Sequence, residues 1–174
     1  MIITTCKKHL ANVALVHMNA FSNSISSKLG KKYCVKMLEW YLLPSSAFLF
    51  HLEIDNKIVG YCGGKVKGSH GSGSTTAMLQ YTFFQAIKSM ILRPWLFFNQ
   101  SMINNYSIII NNILLKFKIK KKKKHKIKKK EINRFIEVGL VVIGVDKNKQ
   151  GLGYGSKLLI EFEKNFSLPL HLFL

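Results

Sequence analysis

Cysteine is scarce: the chain has three in 174 residues. Cys6, Cys34 and Cys62 are odd in number and show no C-x-x-C spacing. That argues against a disulfide framework and a zinc site, and suits a reducing cytoplasm. The six histidines are scattered, so no metal cluster is expected. The start, Met1-Ile-Ile-Thr-Thr-Cys-Lys-Lys, lacks the basic end, long apolar stretch and small-residue cleavage site of a secretory leader. A membrane-spanning helix needs about twenty apolar residues with almost no charge. The best apolar candidate, 77–93, carries Lys88 and Arg93, so spanning is not expected.

What is present suits a folded domain. Hydrophobic residues make up 48% and the mean hydropathy is +0.11, which excludes a wholly disordered chain. The length fits one domain over 1–174 with a sizeable core. The net charge of +19 comes from 27 Lys+Arg against 8 Asp+Glu, but eleven of those bases lie in 116–130. Without that run, 16 bases face 8 acids, a basic body ordinary for a protein that binds an anionic cofactor. The run itself is expected to be a solvated loop with self-repelling charge. Only Phe117 supplies an aromatic there, so nucleic-acid binding is not favoured.

Periodicity sets the element order. Residues 2–5 suit a short strand. Leu10, Val13, Ala14, Met18 and Phe21 follow helical spacing over 8–21, and 23–27 reads as a polar break with capping residues. A second helix is expected over 31–43, with Tyr33, Met37, Trp40 and Tyr41 inward, ended by Pro44. Residues 47–54, the turn Asp55-Asn56 and 57–63 form the best hairpin signal. Gly68-Ser-His-Gly-Ser-Gly-Ser74 reads as a flexible stretch. It leads into the helix 77–93, broken at Pro94, with Gln85, Lys88 and Ser89 on one side and Leu79, Phe83, Ile87 and Met90 on another. Two readings stand for that helix: packed over the sheet edge or an acceptor cleft, or lying in a membrane plane where the lysine run meets anionic lipid. A last strand is expected over 136–145.

The most informative segment follows that strand: Val145-Asp-Lys-Asn-Lys-Gln150-Gly-Leu-Gly153-Tyr-Gly155-Ser156, then a helix from Lys157. Strand, glycine turn and helix present unpaired N–H groups and the positive end of the helix dipole to an anion such as phosphate. Glycines at 151, 153 and 155 remove side chains that would keep the anion away. The dinucleotide pattern G-x-G-x-x-G is absent, because these glycines alternate and no acidic residue can follow at about twenty residues. The mononucleotide loop is absent too, because Gly155 is followed by Ser156 and then Lys157.

What remains, Gln150-x-x-Gly153-x-Gly155 after a β-branched strand end, resembles motif A of the GNAT acyltransferase superfamily, [QR]-x-x-G-x-[GA]. In that family the motif holds the pyrophosphate of coenzyme A. Residues 20–33, Ala20-Phe-Ser-Asn-Ser-Ile-Ser-Ser-Lys-Leu-Gly30-Lys-Lys-Tyr33, also look like the helix–loop–helix of a bacterial GNAT group linked to sugar modification. The resemblance implies an α/β (α+β) fold, with a mixed, mostly antiparallel central sheet flanked by helices. Its core would be 1–64 and 132–174, with an insertion over 65–131. It departs from the pattern in that insertion and at the end, where the usual further helix, final strands and a proton-donating tyrosine have no counterpart in 157–174.

The resemblance further implies acetyl transfer from acetyl-CoA to an amine, possibly a sugar amine. Ile143, Gly144 and Val145 would hydrogen-bond the pantetheine arm. Gln150, Gly151, Leu152, Gly153, Tyr154, Gly155 and Ser156 would surround the pyrophosphate, with Tyr154 a packing or adenine-edge residue. A backbone N–H near Val145 would face the oxyanion. Glu137 is the candidate general base, on one strand face with Gly139, Val141, Ile143 and Val145. It stands one inward position further out than the family's usual base. Glu53 is a weaker candidate, and His51 or His70 could relay a proton. The other readings are a truncated CoA-binding domain without turnover, and a basic binder of membrane surfaces or nucleic acid.

Overall fold

Alternating apolar residues on either side of Asp55-Asn56 fold as the expected hairpin. The computed structural model describes residues 1–43, 47–66, 74–98, 100–103 and 138–166. In it β2 (Ala47–Ile54) and β3 (Lys57–Val66) pair antiparallel. Asp55 and Asn56 both have positive φ, 49° and 58°, as a tight two-residue hairpin turn requires. β1 (Ile2–Thr4) pairs antiparallel with β2, and β4 (Val138–Val145) with β3. Among the described residues the sheet therefore runs β1-β2-β3-β4, antiparallel throughout, in a mixed α/β architecture.

Two cores lie on opposite faces of this sheet. The larger sits under α1 (Leu10–Ala20) and α3 (Lys31–Glu39) and gathers Val13, Leu38, Tyr41, Leu49 and Tyr61. The smaller sits under α6 (Tyr154–Phe166), where Phe50, Leu52, Cys62 and Leu158 meet. Leu158 is fully buried, which for a leucine stabilises by roughly 1.5–3 kcal/mol. The inward set expected for the second helix, Tyr33, Met37, Trp40 and Tyr41, is buried throughout. That helix is shorter than expected: α3 stops at Glu39 and a 3-10 turn, Trp40–Leu42, completes it.

The expected polar break over 23–27 is instead the start of a short helix, α2 (Ile25–Leu29). Ser24 caps it, its hydroxyl accepting the Ser27 N–H at 3.2 Å. The serines satisfy the helix start instead of interrupting it.

Within the expected insertion, Lys65 and Val66 instead continue β3, and the rest of its described part is α4 (Ser74–Ile91), a 3-10 turn Pro94–Phe98 and α5 (Gln100–Ile103). Among the described residues α4 packs chiefly on α3. Tyr81 donates to Glu39 Oε2 at 2.8 Å and accepts from Lys36 Nζ at 2.7 Å. Arg93 Nη1 donates to Lys28 O at 2.8 Å. Ser89, expected on the polar side, is buried together with Thr82, which donates to the Tyr33 hydroxyl of α3, whereas Lys88 is exposed. Among the described residues no helix is long and apolar enough to cross a membrane. The lysine run 116–130, the serine–glycine stretch over 68–73, His70, Pro44 and the final residues 167–174 lie outside the described residues.

One irregularity changes which residues share a face. Gly63 pairs with Val142 but Gly64 pairs with Leu140, so Val141 is an extra, bulged residue on β4. A bulge inverts the alternation beyond it. Gly139 therefore falls on the face of Val142 and Gly144, not on that of Ile143 and Val145 as strict alternation over 137–145 assumed.

Candidate functional site

The end of β4 is fastened before the glycine turn begins. Asp146 N–H donates to Val59 O at 2.8 Å. The Asp146 carboxylate accepts from Asn148 N–H at 2.9 Å and from Asn19 Nδ2 at 3.1 Å. The first bond caps a 3-10 turn, Lys147–Lys149. The second ties the corner to the C-terminal end of α1. Gln150 Nε2 then reaches back to Val145 O at 3.1 Å and spans the turn.

Gly151 and Gly153 both sit in the left-handed region, with φ of 78° and 75°. A Cβ built on either would meet nothing within 4 Å among the described residues. These two glycines are required by backbone conformation alone, and the space beside them is open. α6 starts at Tyr154, three residues earlier than expected. Lys157 N–H is the first to bond back, to Gly153 O at 3.0 Å, so the N–H groups of Tyr154, Gly155 and Ser156 precede the ladder. They form the positive end of a 13-residue helix. Lys147, Lys149 and Lys157 are exposed around this end and add positive charge.

The site residues read from the sequence divide by role. Ile143, Val145 and Tyr154 turn their side chains into the smaller core. Gly144 is buried against Tyr61 and Phe21, whose ring atoms lie 2.7 Å and 3.0 Å from where its Cβ would stand. Gly155 faces Val145 Cγ2 at 3.9 Å from that position. Gln150, Gly151, Leu152, Gly153 and Ser156 are exposed and line the open corner. β4 is an end strand among the described residues, so one edge of its backbone is available for pairing. Glu137 lies outside the described residues. Glu53 is on β2, two strands from β4, roughly 10 Å across the sheet, and is bonded to His51 instead.

Three side chains near the site carried no sequence signal strong enough to be singled out. Asp146 and Asn19 anchor the corner; Asp146-Lys-Asn148 does have the form of a side-chain-capped turn. His17 is the third. It is buried on α1, with Nδ1 2.5 Å from the Tyr61 hydroxyl and Nε2 2.8 Å from Ser26 Oγ. Burial pushes its pKa down to about 4, so it is neutral at pH 7, while burial raises that of Tyr61. Tyr61 therefore keeps its proton, and the neutral imidazole bonds the Tyr61 hydroxyl through one nitrogen and Ser26 through the other.

A second group of polar residues gathers near β1. His51 Nδ1 lies 2.9 Å from Thr5 Oγ1, and its Nε2 lies 3.3 Å from Glu53 Oε1. Burial lowers the His51 pKa, partly offset by the Glu53 bond. The sequence offered the histidines as scattered, but the fold brings His9 beside His51, with ring centroids 4.6 Å apart. The three cysteines are free; burial raises the thiols of Cys34 and Cys62 to about 12, which removes them as nucleophiles at neutral pH. No family model, no curated protein and no solved structure matches this chain.

Proposed function

We propose that the chain is a GNAT-type N-acetyltransferase, binding acetyl-CoA at the β4–α6 corner and acetylating an amine, in the cytoplasm. The observation that carries this reading is the pair Gly151 and Gly153, left-handed, open-sided and set against the unladdered amides of Tyr154 to Ser156. A diphosphate suits that arrangement because several backbone donors and the helix dipole act on it together. The lysines at 147, 149 and 157 strengthen the attraction. The edge of β4 that is unpaired among the described residues suits the pantetheine arm, which carries amides that can pair with a strand.

In the reaction the neutral amine attacks the thioester carbonyl carbon. Negative charge collects on that oxygen, where a backbone N–H near Val145 would offset it. The C–S bond then breaks, the thiolate takes a proton, and the nitrogen gives up its own. Calorimetry with acetyl-CoA tests the binding step: wild type binds, and Gly153→Trp, which fills the open corner, does not. Wild type that shows no heat at millimolar ligand rejects the reading.

One observation favours a second reading, a CoA-binding domain without turnover. Among the described residues Asp146 is the carboxylate of the corner, and both its oxygens are engaged in fastening it. If that is the whole acid–base supply, binding persists but thiol release from acetyl-CoA stays at background across a panel of amines.

A further inference from the structure

We propose that His9, His51 and Glu53 form a binding site for one divalent transition-metal ion of the zinc class, independent of the β4–α6 corner. One ligand atom from each lies within 4.8 Å of the others. His9 ends the 3-10 turn Lys7–His9 that leads into α1. His51 and Glu53 are two residues apart on β2, so strand alternation turns both to the same side. The site thus joins the N-terminal segment to the sheet.

The His51–Glu53 spacing suits an ion as well as a hydrogen bond. His51 Nε2 and Glu53 Oε1 are 3.3 Å apart, whereas a charge-assisted N–H···O bond is about 2.7–2.9 Å. In a tetrahedral site with metal–N near 2.0–2.1 Å and metal–O near 2.0–2.2 Å, neighbouring ligand atoms stand about 3.3–3.5 Å apart. The His51–Glu53 pair already has that separation. His9, at a part-buried position, lies within 4.8 Å of the other two ligand atoms, so it must close by no more than roughly 1.5 Å to complete a tetrahedral set.

The outer partners also fit. Metal-bound histidine usually donates its second ring N–H to a fixed acceptor, which sets the tautomer. Thr5 Oγ1 stands 2.9 Å from His51 Nδ1. Thr5 is itself buried and pinned by its N–H to Leu49 O at 2.9 Å. With the proton on Nδ1, the Nε2 lone pair of fully buried His51 points towards Glu53. On His9, Nδ1 accepts from the Cys6 N–H at 3.3 Å, with Cys6 Sγ also 3.3 Å away, so binding an ion through Nε2 requires the ring proton to move to Nδ1, where Sγ becomes its acceptor. Two imidazoles and one carboxylate suit a borderline divalent ion, and three protein ligands leave a fourth position for water.

The test uses the full chain, stripped with a chelator and then titrated with zinc chloride by calorimetry and with cobalt(II) by visible absorption. Wild type is expected to take up one equivalent, with the intense visible bands of tetrahedral cobalt and a melting temperature that rises with added zinc. His9→Ala and Glu53→Gln are part-exposed positions and keep β2 intact. Each is expected to weaken zinc binding by at least about tenfold and to remove the thermal shift. Should His51→Gln fail to fold, those two variants and the cobalt spectrum still decide. Absence of saturable binding, or equal affinity in wild type and both variants, overturns the proposal, since the ion then sits on other residues or on none.

Discussion

The Tyr61 hydroxyl on β3 and His17 Nδ1 on α1 share a hydrogen bond, 2.5 Å long, inside the larger core. The Tyr61 ring also closes over Gly144. The pair therefore fixes α1 against the strand end that leads to the glycine corner, and Asn19, half a turn further along α1, holds Asp146. The packing of one helix and the placement of the candidate site are a single arrangement.

That pair makes stability depend on acid. Folded His17 titrates at about 4, against 6.5 when free. Between those values the unfolded chain binds the extra proton, so stability is full above pH 6.5 and falls as pH drops towards 4. His51 is lowered as well and adds in the same direction. The His17 share reaches about 3 kcal/mol by linkage. Urea unfolding at pH 7 and pH 4.5 should show the loss in wild type and a clearly smaller one in His17→Gln. Equal losses in both proteins would mean that His17 is not buried neutral.

The two glycines at the helix start should behave oppositely. Gly153→Ala forces a side chain into the left-handed region at φ 75°, costing about 1–2 kcal/mol. Gly155 lies inside α6, and its new methyl would meet Val145 Cγ2 at an ordinary 3.9 Å, so alanine there is expected to gain roughly 0.5–1 kcal/mol. Chemical denaturation of both variants checks the signs. If the corner binds acetyl-CoA, Gly153→Ala also loses affinity while Gly155→Ala keeps it.

How far the sequence reached follows from range. The hairpin at Asp55-Asn56, the inward face of α3 and the strand–turn–helix at Gly151 are written in local pattern, and local pattern is legible; on α1 it found Leu10, Val13 and Ala14 but not buried Val16 and His17, and Phe21 is exposed. The bulge at Val141 was not, because it arises from pairing with Gly63 and Gly64 on another strand. The short helix after Ser24 was missed because capping residues also mark loops. His9, His51 and Glu53 meet only once β1 and the 3-10 turn lie across β2, so spacing along the chain could not bring them together.

Thiol chemistry should sort the cysteines by depth. Cys6 is exposed, whereas Cys34 and Cys62 are buried with their thiols raised to about 12. At neutral pH a disulfide reagent such as DTNB should label one thiol quickly in the native protein and three after denaturation. Fast labelling of three in the native state would contradict the packing of both cores, since Cys34 belongs to one and Cys62 to the other.

The seat of α6 on the sheet rests on Gly60. A Cβ there would stand 2.9 Å from Leu158 Cδ1 and 3.2 Å from the Gly144 carbonyl oxygen. Leu158 is fully buried and the carbonyl is backbone, so neither yields easily, and Gly60→Ala is expected to cost about 1–3 kcal/mol by overpacking. Leu158→Ala alone empties the same spot and should cost about 2–5 kcal/mol. Together the two changes relieve each other, because the methyl on residue 60 enters the space that Leu158 leaves. The double variant should therefore be more stable than the sum of the single losses implies by at least about 0.5 kcal/mol. Strict additivity in urea unfolding would show that α6 does not bear on β3 at this point, and the amides of Tyr154 to Ser156 would then lose the support that holds them at the corner.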